Sequence, residues 1–230
     1  MRILSPISQP NRGFALIVVL SSLAILTIIF SVASSRTMSR LLDGATERTL
    51  AQRNFNAHEM LKLAIQLKSS AAGRDLTEFE LQIGSEKQTL FLQDVGGLID
   101  LNTAAPEILE KIIEAFDLGP DAMTNYIAWR RSGRRLQRVG DFLRITGSEQ
   151  ARLTELTALT TVKSGRRGIA PDQAPTEVLA LLGEEELPAI WITPPSTVNF
   201  AVILHGENTR RIGVVHIGQA LGEGRVLVVD

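Results

Sequence analysis

The residues of this 230-residue chain that could do chemistry are three histidines, a run of glutamates, three loop aspartates and a block of arginines. His58, His205 and His216 fall in different expected elements, and no His-Glu-x-x-His or comparable ligand spacing occurs. His205 and His216 could face each other across a hairpin, but two lone imidazoles on a sheet are usually structural or exposed. Glu184, Glu185 and Glu186 read as a solvated loop run. There is no Gly-x-Ser-x-Gly elbow and no phosphate loop, so no catalytic residue is assigned and an enzyme is not expected. Asp94, Asp100 and Asp172, with nearby carbonyls, could offer calcium hard oxygen ligands. They lack the regular spacing of a loop site, so calcium stays unassigned and no metal ligand is named. The chain has no cysteine, which excludes disulfides and thiolate metal sites. Arg130, Arg131, Arg134, Arg135 and Arg138 form a basic block, yet residues 94–163 hold ten Asp and Glu against nine Lys and Arg. The plain reading of the block is a solvated face with carboxylate partners; phosphate contact and a docking surface are its alternatives. A net charge of −1 argues against a dedicated polyanion binder.

The elements that would position these residues begin with an abrupt junction. A short polar leader ends at Arg12-Gly13, and an uncharged run starts at Phe14 and reaches Ser35. Thirteen of the twenty residues 14–33 are Leu, Ile, Val or Phe, which together favour insertion into a bilayer by about 6 kcal/mol. Twenty helical residues span about 30 Å, the thickness of the hydrocarbon core. A cleaved secretory signal is the main rival, with Ser31-Val32-Ala33 as its small-x-small site, but its apolar core usually runs only about 7 to 15 residues. A plain membrane anchor is the other. Arg2 and Arg12 precede the run while Arg36 and Arg40 follow it, so the positive-inside rule barely discriminates.

Beyond the run, Ala57, Met60, Leu61, Ala64 and Ile65 recur at helical spacing, which continues the helix to a stop at residues 69–73. Phe79, Leu81 and Ile83 alternate, residues 84–87 read as a turn, and Leu90, Phe91 and Leu92 follow, which predicts a β-hairpin ended by residues 94–97. Residues 99–165 read as helical. Pro106 sits in a first helical turn, Ile108, Leu109, Ile112, Ile113 and Phe116 form an apolar face, and Gly119-Pro120 ends it. Further helices are expected at 122–131, 139–145 and 148–159. Residues 169–179 echo 99–109 with Ile, Ala, Glu and Leu at matching places and Asp172 in place of Asn102, which suggests a duplicated unit whose second copy is cut short. Three β-rich runs at 198–204, 212–217 and 226–229, with glycine turns between them, predict an antiparallel sheet.

The junction Arg12-Gly13-Phe14 resembles the class III leader of type IV pilins and type II secretion pseudopilins. That resemblance implies cleavage after Gly13 by a prepilin peptidase and methylation of the new N-terminal Phe14. Most such pilins carry Glu at the fifth mature position, where this chain has Val18. The missing carboxylate is typical of protein K, a minor pseudopilin at the filament tip with no subunit above it to pair with. The order of long helix, hairpin, helical insert and antiparallel strands is similar to the same family. It implies an α+β fold: a pilin-like long N-terminal transmembrane helix packed on an antiparallel sheet, with an inserted all-helical domain of SAM-like or helix-hairpin-helix-like type. The expected layout is a leader over 1–13, a transmembrane helix over 14–34, its periplasmic continuation over 35–73, a hairpin over 74–98, the insert over 99–190 and C-terminal strands over 191–230. The resemblance implies a single-pass inner-membrane protein with a periplasmic C-terminal domain. Its implied role is to start a short pseudopilus that supports export of folded proteins across the outer membrane. Its implied partners are the other minor and major pseudopilins, prepilin peptidase, the inner-membrane secretion platform and membrane lipid.

Two further resemblances compete. A minor pilin of a type IV pilus shares the leader and helix. The segment from Leu101 through Trp129-Arg130-Arg131 to Asp141-Phe142-Leu143 also resembles the helix-hairpin-helix domain of membrane-anchored DNA-uptake receptors. Those domains hold phosphates on glycine-paired hairpins. Here the candidate hairpins, 117–120 and 146–149, have one glycine each, Pro120 has no N–H to give, and Asp117 and Glu149 would repel a phosphate. Nucleic acid is therefore not the expected partner.

Overall fold

The protein is described by a computed structural model covering residues 12–230 apart from 71, 74, 84–85, 148–151, 184–186, 206–208, 219, 221–222 and 230; side chains are further undescribed at 12–17, 32–33, 35–37, 39–45, 83 and 86. In chain order its elements are α1 (Arg12–Ser69), β1 (Glu78–Ile83), β2 (Glu86–Asp94), β3 (Ile99–Asp100), α2 (Pro106–Ala115), α3 (Ala122–Arg131), α4 (Gly140–Thr146), α5 (Leu153–Leu159), β4 (Thr160–Thr161), α6 (Thr176–Leu182), β5 (Asn199–His205), β6 (Arg210–Ile217) and β7 (Gly224–Val229). The chain divides into two compact units, residues 1–53 and 54–230.

In the first unit α1 is continuous, and every side chain described from residue 18 to 31 is exposed. Among the described residues no helix is long and apolar enough to cross a membrane. Six side chains of the span expected over 14–33, namely Phe14, Ala15, Leu16, Ile17, Val32 and Ala33, lie outside the described set, as do residues 1–11 of the leader expected over 1–13.

The second unit is α+β, built on a five-stranded antiparallel sheet in the order β1-β2-β5-β6-β7. Leu61, Ala64 and Ile65 of α1 pack on one face with Leu90, Leu92, Phe200, Val202, Leu204 and Val215. The three α1 positions are those read from the sequence, and the strand residues fall within its apolar and β-rich runs. Each fully buried Leu, Ile or Phe there contributes about 1.5–3 kcal/mol. The other face, through Ala201 and Val214, joins the core of the insert. A central strand covered on both faces has no polar positions to alternate with, which is why Ala201 and Ile203 are also apolar.

The pairing of β6 with β5 is irregular. Val202 pairs with Gly213 and Ile203 with Arg211, so Ile212 is the extra residue of a β-bulge. The bulge sends Ile212 to the α1 face and leaves Arg211 on the insert side, where its guanidinium donates to the carbonyls of Thr157 (2.7 Å) and Thr160 (2.6 Å). A Cβ at Gly213 would sit 3.0 Å from Leu61 Cδ1 and 2.3 Å from the Val228 carbonyl, so only glycine lets α1 approach here.

The first hairpin is tighter than the four-residue turn expected from the sequence, since Glu86 already pairs with Ile83. Helices α2 and α3 match their expected spans. The expected 139–145 helix is shifted by one residue in α4, and α5 begins only at Leu153; residues 148–151 of that expected helix lie outside the described set. The insert is not all-helical. β3 and β4 form a parallel two-residue ladder, Ile99 with Thr160 and Asp100 with Thr161. The two segments that echo each other in sequence share two local features. Ile99 opens the first copy on that ladder, and Ile169 opens the second on a parallel bridge to Ile192. The residues before the two helices, Ala105 and Pro175, share nearly one conformation (φ −59, ψ 146 and φ −56, ψ 148). The second helix is shorter, seven residues against ten.

Candidate functional site

Arg12, Gly13 and Phe14 occupy the start of α1, and their side chains lie outside the described residues. Val18, the position where the usual pilin glutamate is absent, is 47% exposed. From there Val19, Leu20, Leu23, Ile25, Leu26, Ile28, Ile29 and Phe30 continue on all sides of the helix, with Phe30 reaching 73% exposure. A surface helix of a soluble domain carries its apolar side chains on one stripe; one that is apolar all round is covered by other protein or by lipid. No described residue of its own unit covers it.

The three aspartates considered as cation ligands have separate fates. Asp94 is buried where β2 ends and the insert begins, and its register partner Phe200 lies where the insert returns. Its Oδ1 accepts from the backbone N–H of Gly96 (2.6 Å) and Ser196 (2.9 Å), and its Oδ2 from that of Thr197 (2.7 Å). Thr197 is held in the left-handed region at φ +61. Asp100 is buried at the ladder, with Oδ1 accepting from Asn102 N–H (2.8 Å) and Oδ2 from Gly165 N–H (2.6 Å) and the Ser164 hydroxyl (3.1 Å). Asp172 is exposed in a 3-10 turn. Two of the three carboxylates thus spend their lone pairs on backbone donors, and each closes a loop between distant segments. Among the described residues no three His, Asp or Glu side chains converge as a metal ion would require.

Asp94 also sits near a buried amine. Lys68, 8% exposed at the end of α1, donates to the Leu76 carbonyl (2.7 Å) and lies 5.2 Å from the Phe200 ring centroid. Burial lowers its pKa, and the charges of Asp75 and Asp94 oppose that shift.

His205 and His216 do not face each other. His205 stands opposite Thr89 at one end of β5, and His216 opposite Asn199 at the other. Their Nδ1 atoms contact Thr209 Oγ1 (3.1 Å) and Asn199 Oδ1 (2.8 Å), and His58 is exposed on α1. The register separates imidazoles that the sequence had set beside one hairpin.

The arginine block is also not as expected. Among the described residues the ion pairs are Lys62–Glu59, Arg144–Asp141 and Arg152–Glu155, and none involves Arg130, Arg131, Arg134, Arg135 or Arg138. Among the described residues the carboxylate nearest in sequence, Asp141, accepts the backbone N–H of Gln137 (3.3 Å) and Arg138 (3.1 Å) and pairs with Arg144, so no guanidinium of the block gains an ion pair. Asn102, which the sequence marked as part of the repeat and of the helix-hairpin-helix resemblance but not for any contact, organises the surface. Its Nδ2 donates to the carbonyls of Leu136 (3.0 Å) and Val162 (3.2 Å), and its Oδ1 accepts from Leu136 N–H (2.7 Å). This stitches the arginine loop to the chain just before Lys163, Arg166 and Arg167. Arg130, Arg131 and Arg167 then line one open groove of about 560 Å³.

The two candidate hairpins are neighbours as well. Asp117, Gly119, Gly147 and Arg152 line one depression of about 400 Å³, with Gly119 at φ +85 and Gly147 at φ +79. Arg152 is committed there: its guanidinium donates to the Phe116 carbonyl (2.7 Å) at the end of α2, lies 4.5 Å from the Phe116 ring and pairs with Glu155 (3.3 Å). The arginine block lies at the opposite end of α3, whose ten residues span about 15 Å. Gly119, at one end of α3, is thus separated along that helix from Arg130 and Arg131 at the other, where Arg130 donates to the Ala104 carbonyl (3.3 Å).

Tyr126 anchors α3 to this arrangement. It is fully buried, stacked on Trp129 (5.9 Å) and edge-on to Phe142 (4.9 Å), and its hydroxyl donates to the Leu101 carbonyl. Burial pushes its pKa up to about 12, with Arg130 opposing and Asp100 reinforcing the shift. The unfolded chain ionises this phenol near pH ~10, so the stability it carries is complete below that pH and is lost as pH rises towards about 12. Tyr126→Phe is expected to cost about 1–2 kcal/mol at neutral pH and to flatten alkaline unfolding between those values. Urea midpoints measured from pH 8 to 12 check this; equally steep profiles for both proteins would contradict it.

No protein-family model matches the sequence, and no curated protein is significantly similar to it.

Proposed function

We propose that the chain is a minor pseudopilin of the type II secretion system, similar to protein K, placed at the tip of the pseudopilus. The observation that carries this reading is the uncovered apolar helix. Nine large apolar side chains between residues 18 and 30 are 47–73% exposed, and no charged residue interrupts 14–35. Lipid covers that surface before assembly, and neighbouring subunits cover it afterwards. The polar leader ending at Gly13 supplies the peptidase signal, with Arg12, Gly13 and Phe14 as the recognition and cleavage residues. Val18 brings no carboxylate into the apolar layer, which suits a subunit with nothing above it to pair with.

The second unit supports the same reading. The end of α1 packs on one face of an antiparallel sheet, as a pilin-like body requires, and the insert covers the other. The insert is then the SAM-like or helix-hairpin-helix-like addition whose bulk stops a further subunit from adding. The role is templating and mechanical rather than catalytic. The protein works from the inner membrane with its body in the periplasm. Its partners are the other minor pseudopilins, through them the major one, then prepilin peptidase and the secretion platform. The test is intact-mass and N-terminal analysis of membrane-purified protein made with and without co-expressed prepilin peptidase. A peptidase-dependent start at methylated Phe14 is expected. An uncut chain, or a soluble product starting near Ser34, would remove the reading.

A further inference from the structure

The geometry points to the joined surface of residues 130–138 and 163–167 as a docking site for an acidic segment of another pseudopilin. This rests on the filament-subunit reading above and names the chemistry of one contact within it. The two segments are about thirty residues apart in sequence, yet Asn102 binds the backbone of both, to the Leu136 carbonyl at 3.0 Å and the Val162 carbonyl at 3.2 Å. A rigid scaffold therefore presents a dense set of cations. Arg131, Arg134, Arg135, Arg138 and Arg167 are exposed. None of the five guanidinium groups in 130–138 forms an ion pair among the described residues, in a chain of net charge −1, and the Asp141 carboxylate beside them accepts only the backbone N–H of Gln137 and Arg138 there.

The end of α3 favours cations at Arg130 and Arg131 through the helix dipole. That explanation does not reach Arg134, Arg135, Arg138 or Arg167, which lie beyond the helix. Arg130, Arg131 and Arg167 line one groove, where like charges repel one another in the free protein, and an acidic partner relieves that repulsion as it binds. The block contains no lysine in 130–138, and guanidinium forks suit carboxylates bidentately. Nucleic acid fits less well. A duplex held by helix-hairpin-helix units needs backbone donors from the hairpins, and the described glycines of those, Gly119 and Gly147, line a depression away from the groove of Arg130 and Arg131.

The natural absence of cysteine makes a site-specific test clean. Arg134→Cys in the full chain, labelled with a benzophenone maleimide, is irradiated in membranes that also contain the other pseudopilins of the same system. The expected adduct joins the label to a processed pseudopilin at a peptide rich in Asp and Glu. Arg131→Glu with Arg135→Glu should cut its yield about tenfold, and changing the captured peptide's carboxylates to arginine should restore it. Arg138→Cys serves as a second label position should the first disturb the fold. An adduct to nucleic acid, to lipid or to an apolar peptide overturns the inference, as does no adduct from either position. Intact mass on the same membranes separates the two readings. A chain processed to Phe14 that gives no adduct loses only this inference. An unprocessed chain that still forms the adduct loses only the filament reading.

Discussion

Asp94→Ala is expected to destabilise the second unit by about 3–5 kcal/mol, a large share of the stability of a domain this size. The carboxylate receives three backbone N–H groups, at 2.6, 2.9 and 2.7 Å, from both ends of the insert. Truncation leaves the buried Gly96 and Ser196 donors without a charge-assisted bond and without water in return, while the Thr197 N–H, on an exposed residue, is rehydrated. Thr197 adds to the cost, because its left-handed φ of +61 is maintained by the bond it gives to Asp94. Asp94→Asn keeps one acceptor oxygen but turns an N–H2 towards a donor, so an intermediate loss is expected. Asp172→Ala is the control: its side chain is exposed, and a change within about 0.5 kcal/mol is expected. Urea unfolding of the full chain in a neutral detergent, followed by the fluorescence of its two tryptophans, measures all three. A loss below about 1 kcal/mol for Asp94→Ala would refute the clasp.

Gly13→Glu is expected to abolish the mature species altogether, so that co-expressed prepilin peptidase leaves the full 230-residue chain in the membrane. Under the proposed function, residue 13 contributes the carbonyl of the scissile bond. Glycine lets the backbone approach the peptidase without a Cβ, and a glutamate there adds both bulk and a charge beside the bilayer. Val18→Glu is the informative companion. It places a carboxylate five residues into the mature chain at an insertion cost of about 2.5–3.5 kcal/mol at most, yet lies outside the cleaved bond. Cleavage should therefore survive Val18→Glu and not Gly13→Glu. Intact mass reads both directly, and a Gly13→Glu chain that still begins at Phe14 would show that the cut does not depend on the glycine.

Local stiffness made much of the fold legible. Pro106 fixes a first helical turn, Gly119-Pro120 and Ser132-Gly133 stop helices on either side of α3, and the spans of α2 and α3 follow from those few residues. The periodicity of Leu61, Ala64 and Ile65 announced the buried stripe of α1. The echo between residues 99–109 and 169–179 was readable in the sequence, but the parallel bridges that Ile99 and Ile169 make were not. Candidate residues fared less evenly. The aspartates were visible as oxygen donors, but their acceptors' real partners were not, since Ser196 and Thr197 lie a hundred residues from Asp94. An aspartate followed two residues later by glycine is a turn signal, which accounts for the bond to Gly96 and for nothing further.

The sequence by itself determined the uncharged helix after Gly13, the α+β order and the apolar faces, because backbone stiffness and hydrophobic period act within a few turns of chain. Only the tertiary structure decided which distant groups meet. It set β2 beside β5 across the whole insert, put a bulge at Ile212 and separated the two sheet histidines. It also made a clasp of Asp94, and through Asn102 it joined two basic segments into one surface. Those choices follow from satisfying every buried donor and acceptor at once, a condition over the folded whole that no local pattern carries.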